Sequence, residues 1–271
     1  MSTSQASAPL PPGRVDLWFA SVETAVARGR IALYRDALPA DEVARADRYR
    51  QAKDRNCCLV ARALVRSVLS GYAGHDPAAW TFSYNTYGKP AIAEPAGHGL
   101  EFNVSHTAGL VICGVTSGGQ LGVDVEQLDR VGKGDRHLLC EAPEGPFRQK
   151  VPVPFSRSRL DLARRFFAAP EVAFLEQTPP ERQPAVFLEF WTLKEAYIKA
   201  RGVGLSMPLA DFAFTLAAPR PPAIRFLRGD QGEASRWHFS QLRLSGDYQV
   251  AVALCPPGGE ELSLRVEERC P

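Results

Sequence analysis

The chain has 271 residues, 45% of them hydrophobic and 23% charged, with a formal net charge of +2 at pH 7. These proportions suit a globular protein with one large domain or two smaller ones, and they exclude a chain that is disordered throughout. No run of about 18 apolar residues offers a membrane span, no charged-then-apolar start suggests a secretory signal, and the near-neutral charge gives no reason to expect nucleic acid as a partner.

Residues 1–13 are small, polar and proline-rich and are expected to form a disordered tail. From Asp41 to Arg66 the chain is charged and helix-prone, and after position 44 Arg45, Arg48, Arg50, Lys53, Arg55, Arg62 and Arg66 stand against only Asp47 and Asp54. Leu59, Val60, Ala63, Leu64, Ser67 and Val68 recur at helical spacing and make one buried face, with Arg62 and Arg66 beside it on the solvent or ligand side, where solvated charges are the preferred reading. The six cysteines, at 57, 58, 113, 140, 255 and 270, show no zinc-finger or CxxC spacing, so reduced thiols in a cytoplasmic protein are expected. Gly71 and Gly74 end the helix, and Asp76-Pro77 reads as an N-cap followed by a first-turn proline.

Extended runs follow at 80–84 and 100–104, separated by a turn at Gly88-Lys89-Pro90. Ser105 to Gly109 reads as a turn, and Leu110 to Val125, through Ser117-Gly118-Gly119, as a β-hairpin. Residues 131–156 lack periodicity and read as linker or surface insertion. Helix resumes near Arg159, and Glu181 to Arg201 forms a second strong helix, with Pro184 near its start and Gly202 after its end. Four extended runs come next, near 211–216, 223–227, 236–244 and 247–254. Both halves are therefore α+β, with helix before strands, although no residue-level repeat is visible.

Four short motifs carry chemistry. In Gly122-Val123-Asp124-Val125-Glu126 the two carboxylates stand at i and i+2, so both project from one face of a strand while the valines face the other way. Trp191, Glu195 and Lys199 are spaced by four and share one helical face. Alone, the first is an ordinary solvated edge strand, and the second an intrahelical ion pair worth about 0.3 to 0.5 kcal/mol. Asn103-Val104-Ser105-His106 and Gly88-Lys89-Pro90 are equally unremarkable singly.

In this order, however, Gly-Lys-Pro, Asn-x-Ser-His, Gly-x-Asp-x-Glu and Trp-x-x-Lys-Glu-x-x-x-Lys resemble the motif series of the Sfp-type 4′-phosphopantetheinyl transferases. The resemblance implies a pseudo-twofold pair of α+β subdomains with the active site between them, here 14–126 and 159–271 joined by 127–158. It implies Mg²⁺-dependent transfer of the phosphopantetheine arm of coenzyme A to a serine of an apo acyl or peptidyl carrier protein, releasing adenosine 3′,5′-bisphosphate. On this resemblance Asp124, Glu126 and Glu195 are the metal ligands, Glu195 also takes the serine proton, and Lys199 reaches the pyrophosphate. Ser105 and His106 match positions that contact the 3′-phosphate, Lys89 lies beside the adenine and ribose end, and Arg45 represents the basic cluster that touches the same phosphate. Lys194 points about 100° round the helix from Glu195 and is assigned to structure or to the rim. An internally doubled enzyme needs no second subunit, so a monomer is expected. The rival reading is a catalytically degenerate module that binds coenzyme A or carrier proteins; such a module would have no need of Asp124, Glu195 and Lys199.

Overall fold

The computed structural model describes residues 10–107, 109–128, 159–228 and 231–271. Residues 1–9 of the expected tail, and 129–158 of the expected linker, lie outside the described residues. By their contacts the described residues fall into two units, one of residues 10–119 with Ser263–Pro271 and one of residues 120–128 and 159–262.

The first unit opens with β1 (Arg14–Ser21), followed by α1 (Val22–Ala27), α2 (Arg30–Ala37), α3 (Ala40–Asp47) and the long α4 (Ala52–Ala73). It continues with β2 (Thr81–Tyr84), β3 (Pro90–Glu94), β4 (Leu100–Thr107) and β5 (Leu110–Ser117). The second unit opens with β6 (Gln120–Gln127) and contains α5 (Arg159–Phe166), α6 (Ala169–Gln177) and the long α7 (Gln183–Arg201). After these come β7 (Phe212–Ala217), β8 (Arg220–Phe226), β9 (His238–Leu244) and β10 (Tyr248–Cys255). The last strand, β11 (Ser263–Glu268), returns to the first unit and pairs in parallel with β1.

The main sheets run in the order β11-β1-β5-β4 and β6-β10-β9, and β1-β5-β4 and β6-β10-β9 are the same antiparallel arrangement. In each unit a long helix precedes a two-stranded pair, β2-β3 or β7-β8, and then the last two strands of that arrangement. The fold is thus α+β, and what is doubled is topology rather than sequence.

Each core forms around its long helix. In the first unit α4 sets Leu59, Val60, Leu64, Val65 and Val68 against Val104, Val111, Cys113 and Val115 of β4 and β5. Its end is set by Gly74, whose φ of 71° is a left-handed cap that suits glycine. In the second unit α7 is buried nearly all round, with Phe187, Phe190, Trp191, Leu193, Ala196 and Tyr197 in one cluster with Phe212, Phe239, Ala251 and Ala253. Such a helix is the centre of its unit rather than a cover over a sheet.

Three expectations are corrected. The strands before and after Gly118-Gly119 do not form a hairpin: β5 pairs with β1 and β4, whereas β6 pairs with β10. The hairpin joins β4 to β5, in register from Leu100↔Ser117 to Thr107↔Leu110, so Ser105 and His106 are strand residues and not part of a turn. Arg62 and Arg66 are buried rather than solvated, because Glu42 of α3 and Phe82 and Tyr84 of β2 meet them on that side of α4. Glu42 of α3 accepts from Arg66 Nε at 2.9 Å and from Arg62 Nη1 at 3.4 Å. Arg66 also donates to the carbonyls of Pro77 and Trp80, and Arg62 to the Tyr84 hydroxyl.

Candidate active site

In the second unit the site grows from a glycine. A Cβ on Gly122 would lie 1.9 Å from the Ala196 carbonyl oxygen and 2.4 Å from the Ala200 nitrogen. The strand therefore lies directly on α7, at a separation only glycine permits. Two residues further on, on the same face, Asp124 meets the helix and its Oδ1 accepts from Lys199 Nζ at 2.6 Å. Asp124 has no exposed surface, while a quarter of the Lys199 side chain is exposed. Glu126 follows on that face, and Glu195 lies one helical turn before Lys199; both are buried. β6 and α7 thus carry all four residues expected for the metal and the pyrophosphate.

Among the described residues no group of three or more His, Cys, Asp or Glu side chains is gathered closely enough to hold a metal unaided. The donor chemistry nevertheless fits Mg²⁺. That ion takes carboxylate oxygen, and it is ordinarily held by one or two carboxylates plus substrate phosphates and water, not by a complete protein cage. Asp124, with Glu126 and Glu195, supplies hard oxygen donors of this kind on elements packed against each other.

Lys194 has the structural role left open by its direction round the helix. It is fully buried, pairs with Glu171 Oε2 at 2.8 Å and donates to the carbonyls of Leu209 and Phe212, each at 2.7 Å. Glu171 in turn accepts from the backbone nitrogens of Ala168 and Phe214. Burial pulls the Lys194 ammonium down to about 8, against the pull of Glu171, and burial pushes the Glu171 carboxyl up.

The remaining expected residues belong to the first unit. Lys89 leaves a turn organised by Asn85, whose Oδ1 accepts from the Tyr87 and Lys89 nitrogens, each at 2.9 Å. Its ammonium is 3.3 Å from Glu101; burial lowers the lysine and raises the glutamate, each opposed by the other's charge. Ser105 and His106, as neighbours in β4, point to opposite faces. Ser105 shares its face with the buried Asn103 and Thr107, and His106 shares the other with Phe102 and Val104 of the core. The Arg45 guanidinium lies 5.4 Å from the Tyr84 ring centroid, and its buried Nη1 has no hydrogen-bond partner among the described residues.

Residues 120–253 match the profile of the 4′-phosphopantetheinyl transferase superfamily, and residues 27–117 match that of the N-terminal region of 4′-phosphopantetheinyl transferases. The 4′-phosphopantetheinyl transferase HetI of Nostoc sp. is 32% identical over 80% of this chain and 78% of its own. This chain belongs to the 4′-phosphopantetheinyl transferase superfamily. Two further relatives from Bacillus subtilis agree. A 4′-phosphopantetheinyl transferase is 29% identical over 66% of this chain and 67% of its own, and the 4′-phosphopantetheinyl transferase Sfp is 31% identical over 62% of each. For a phosphopantetheinyl transferase the reading by residue type passed over two features: Gly122 as the contact that brings the strand onto the helix, and the Lys199 pair with Asp124 across that contact. The first was signalled by the glycine of Gly-x-Asp-x-Glu. The second had no local signal, since it depends on which strand packs on α7.

Proposed function

We propose that this transferase moves the phosphopantetheine arm of coenzyme A onto the serine of an apo carrier protein, with Mg²⁺ as its metal. The observation that carries the reading is the juxtaposition of β6 and α7 at Gly122, which puts Asp124 against Lys199 and buries Glu126 and Glu195 on the same two elements. In the reaction a bond forms between the serine oxygen and the β-phosphorus, the bond from that phosphorus to the bridging oxygen breaks, and adenosine 3′,5′-bisphosphate leaves. Asp124, Glu126 and Glu195 would hold the cation, which when bound neutralises charge on the pyrophosphate oxygens.

Lys199 holds a positive charge at the edge of this group, and its partial exposure leaves it within reach of an incoming phosphate. Glu195 is the group assigned to accept the serine proton, directly or through water. Burial of these carboxylates keeps bulk water from competing for them. In the first unit the Arg45 donor that has no hydrogen-bond partner among the described residues and the turn-presented Lys89 suit the phosphate and nucleotide end of coenzyme A, and of Ser105 and His106, which point to opposite faces of β4, one side chain at most faces its 3′-phosphate. All of these groups belong to a single chain, and no described helix is long and apolar enough to cross a membrane.

The test is incubation with coenzyme A, Mg²⁺ and an apo carrier protein, followed by intact mass. Gain of one phosphopantetheine group by the carrier is expected. An unmodified carrier, with coenzyme A shown to bind, would leave the chain a binding module instead.

A further inference from the structure

The sheet face that carries Asp124 and Glu126 continues onto β10. In the antiparallel register Ala253 stands opposite Gly122, Ala251 opposite Asp124 and Gln249 opposite Glu126. Directly opposed residues have Cβ atoms about 4.5 to 5.5 Å apart and share a face, so the Gln249 and Glu126 side chains start side by side on that face. Gln249 is the only strongly polar side chain among the buried residues of β10, and it is 2% exposed.

Its hydrogen bonding is incomplete. Nε2 makes one long contact, 3.4 Å to the Val250 carbonyl, and the buried Oε1 has no hydrogen-bond partner among the described residues. A buried amide oxygen without a donor costs stability, and native proteins seldom leave one so. The neighbouring carboxylate cannot supply the missing partner, because an ionised carboxylate is acceptor-only. A buried amide oxygen on this face is satisfied only by a donor or by a cation. An amide oxygen beside a carboxylate is the donor set that hard cations and their bound waters take.

We infer that Gln249 is a positioning residue of the acidic site, with its Oε1 turned to the cation or to a water that the cation holds, and that it tunes metal affinity through Glu126. The inference rests on the proposed metal role of Asp124, Glu126 and Glu195, and its test separates the two. The probe is Mn²⁺, followed by the paramagnetic resonance of the free ion, added to the full chain in saturating coenzyme A. Asp124→Asn is expected to abolish Mn²⁺ binding. Gln249→Met, apolar and similar in length, is expected to raise the Mn²⁺ Kd by roughly 10- to 100-fold, with the Tm measured without metal unchanged or higher. Gln249→Glu, which restores an oxygen, is expected to bind Mn²⁺ within a few-fold of wild type.

Wild-type affinity in Gln249→Met, with binding lost in Asp124→Asn, would overturn the role of Gln249 alone. Failure of the wild-type chain to bind Mn²⁺, or wild-type affinity in Asp124→Asn, would overturn the metal reading and the inference with it. Should Gln249→Met not fold, Gln249→Asn withdraws the amide by one methylene; weakened binding is again expected, and unchanged affinity again overturns the role.

Discussion

A carboxylate with no exposed surface, such as Asp124, is stable only with a positive charge on it, and Lys199 Nζ at 2.6 Å supplies that charge. The pair makes two demands on Lys199 that mutation separates. Lys199→Ala is expected to lower kcat by about 10² to 10³, the cost of one charge-stabilising donor. It is also expected to lower stability by about 1 to 3 kcal/mol, because the buried Asp124 carboxylate loses the charge-assisted hydrogen bond from Lys199. Adding Asp124→Asn to Lys199→Ala should return most of that stability and none of the activity, as read by urea unfolding beside the carrier-protein assay. A double variant no more stable than Lys199→Ala would show that the pair contributes nothing to the fold. The same-face carboxylates were legible from sequence because strand side chains alternate with period two. The Lys199 partner was not, since an i, i+4 neighbour and a facing strand compete for the same ammonium and only packing decides between them.

At the scale of elements, two packing contacts decide whether the site forms. A methyl group at Gly122 would fall on the α7 backbone, which has no side chain there to yield. Gly122→Ala is therefore expected to cost at least about 3 kcal/mol, the upper part of the overpacking range, and to lower transfer by moving Asp124 away from Lys199. Denaturant midpoint and kcat/KM should fall together; an unshifted midpoint would mean that the strand is not held against the helix.

Lys194 ties α7 to α6 and β7 through Glu171 and the carbonyls of Leu209 and Phe212. Lys194→Met should cost about 3 to 5 kcal/mol near neutral pH, since one member of a buried pair remains. The sign of its pH dependence follows from Glu171. Burial raises that carboxyl above its ordinary value of 4.5, and without Lys194 the raising is opposed only by the backbone bonds to Phe214 and Ala168. A carboxyl raised in the folded state contributes stability that is present below its ordinary value and lost as pH rises through the folded one. The deficit of Lys194→Met should therefore be smaller at about pH 5 than at about pH 7.5. A deficit equal at both would mean that Glu171 is not the group left behind. α4 and α7 were readable because apolar spacing and a following glycine mark them. β1, α1 and α2 were not, although Val15, Leu17 and Phe19 alternate as a strand would.

The whole molecule depends on a pairing that no local pattern announces. β11 lies next to β1 in space and nearly the full chain away in sequence, in parallel register from Arg14↔Ser263 to Phe19↔Glu268. A reading that advances along the chain places such a strand with its neighbours in sequence, and only the ladder with β1 assigns it to the first unit. Further contacts secure it: Arg269 N donates to the Phe19 carbonyl at 2.8 Å, Arg269 Nε to Ser67 at 3.0 Å, and the Arg269 guanidinium lies over Trp18 and close to Gly71 of α4. Gly71, expected to help end α4, instead lies inside it, and its missing side chain makes room for this arginine. Ending the chain after Leu262 would remove the ladder and expose the outer edge of β1, an unpaired edge prone to association. The second unit loses no strand, since β6, β9 and β10 all lie before that point. Such a truncation is expected to lower the temperature at which hydrogen exchange protection is lost in β1 and α4, while protection in α7 and β10 persists to nearly the wild-type temperature. Equal loss in both units would mean that they unfold as one cooperative body.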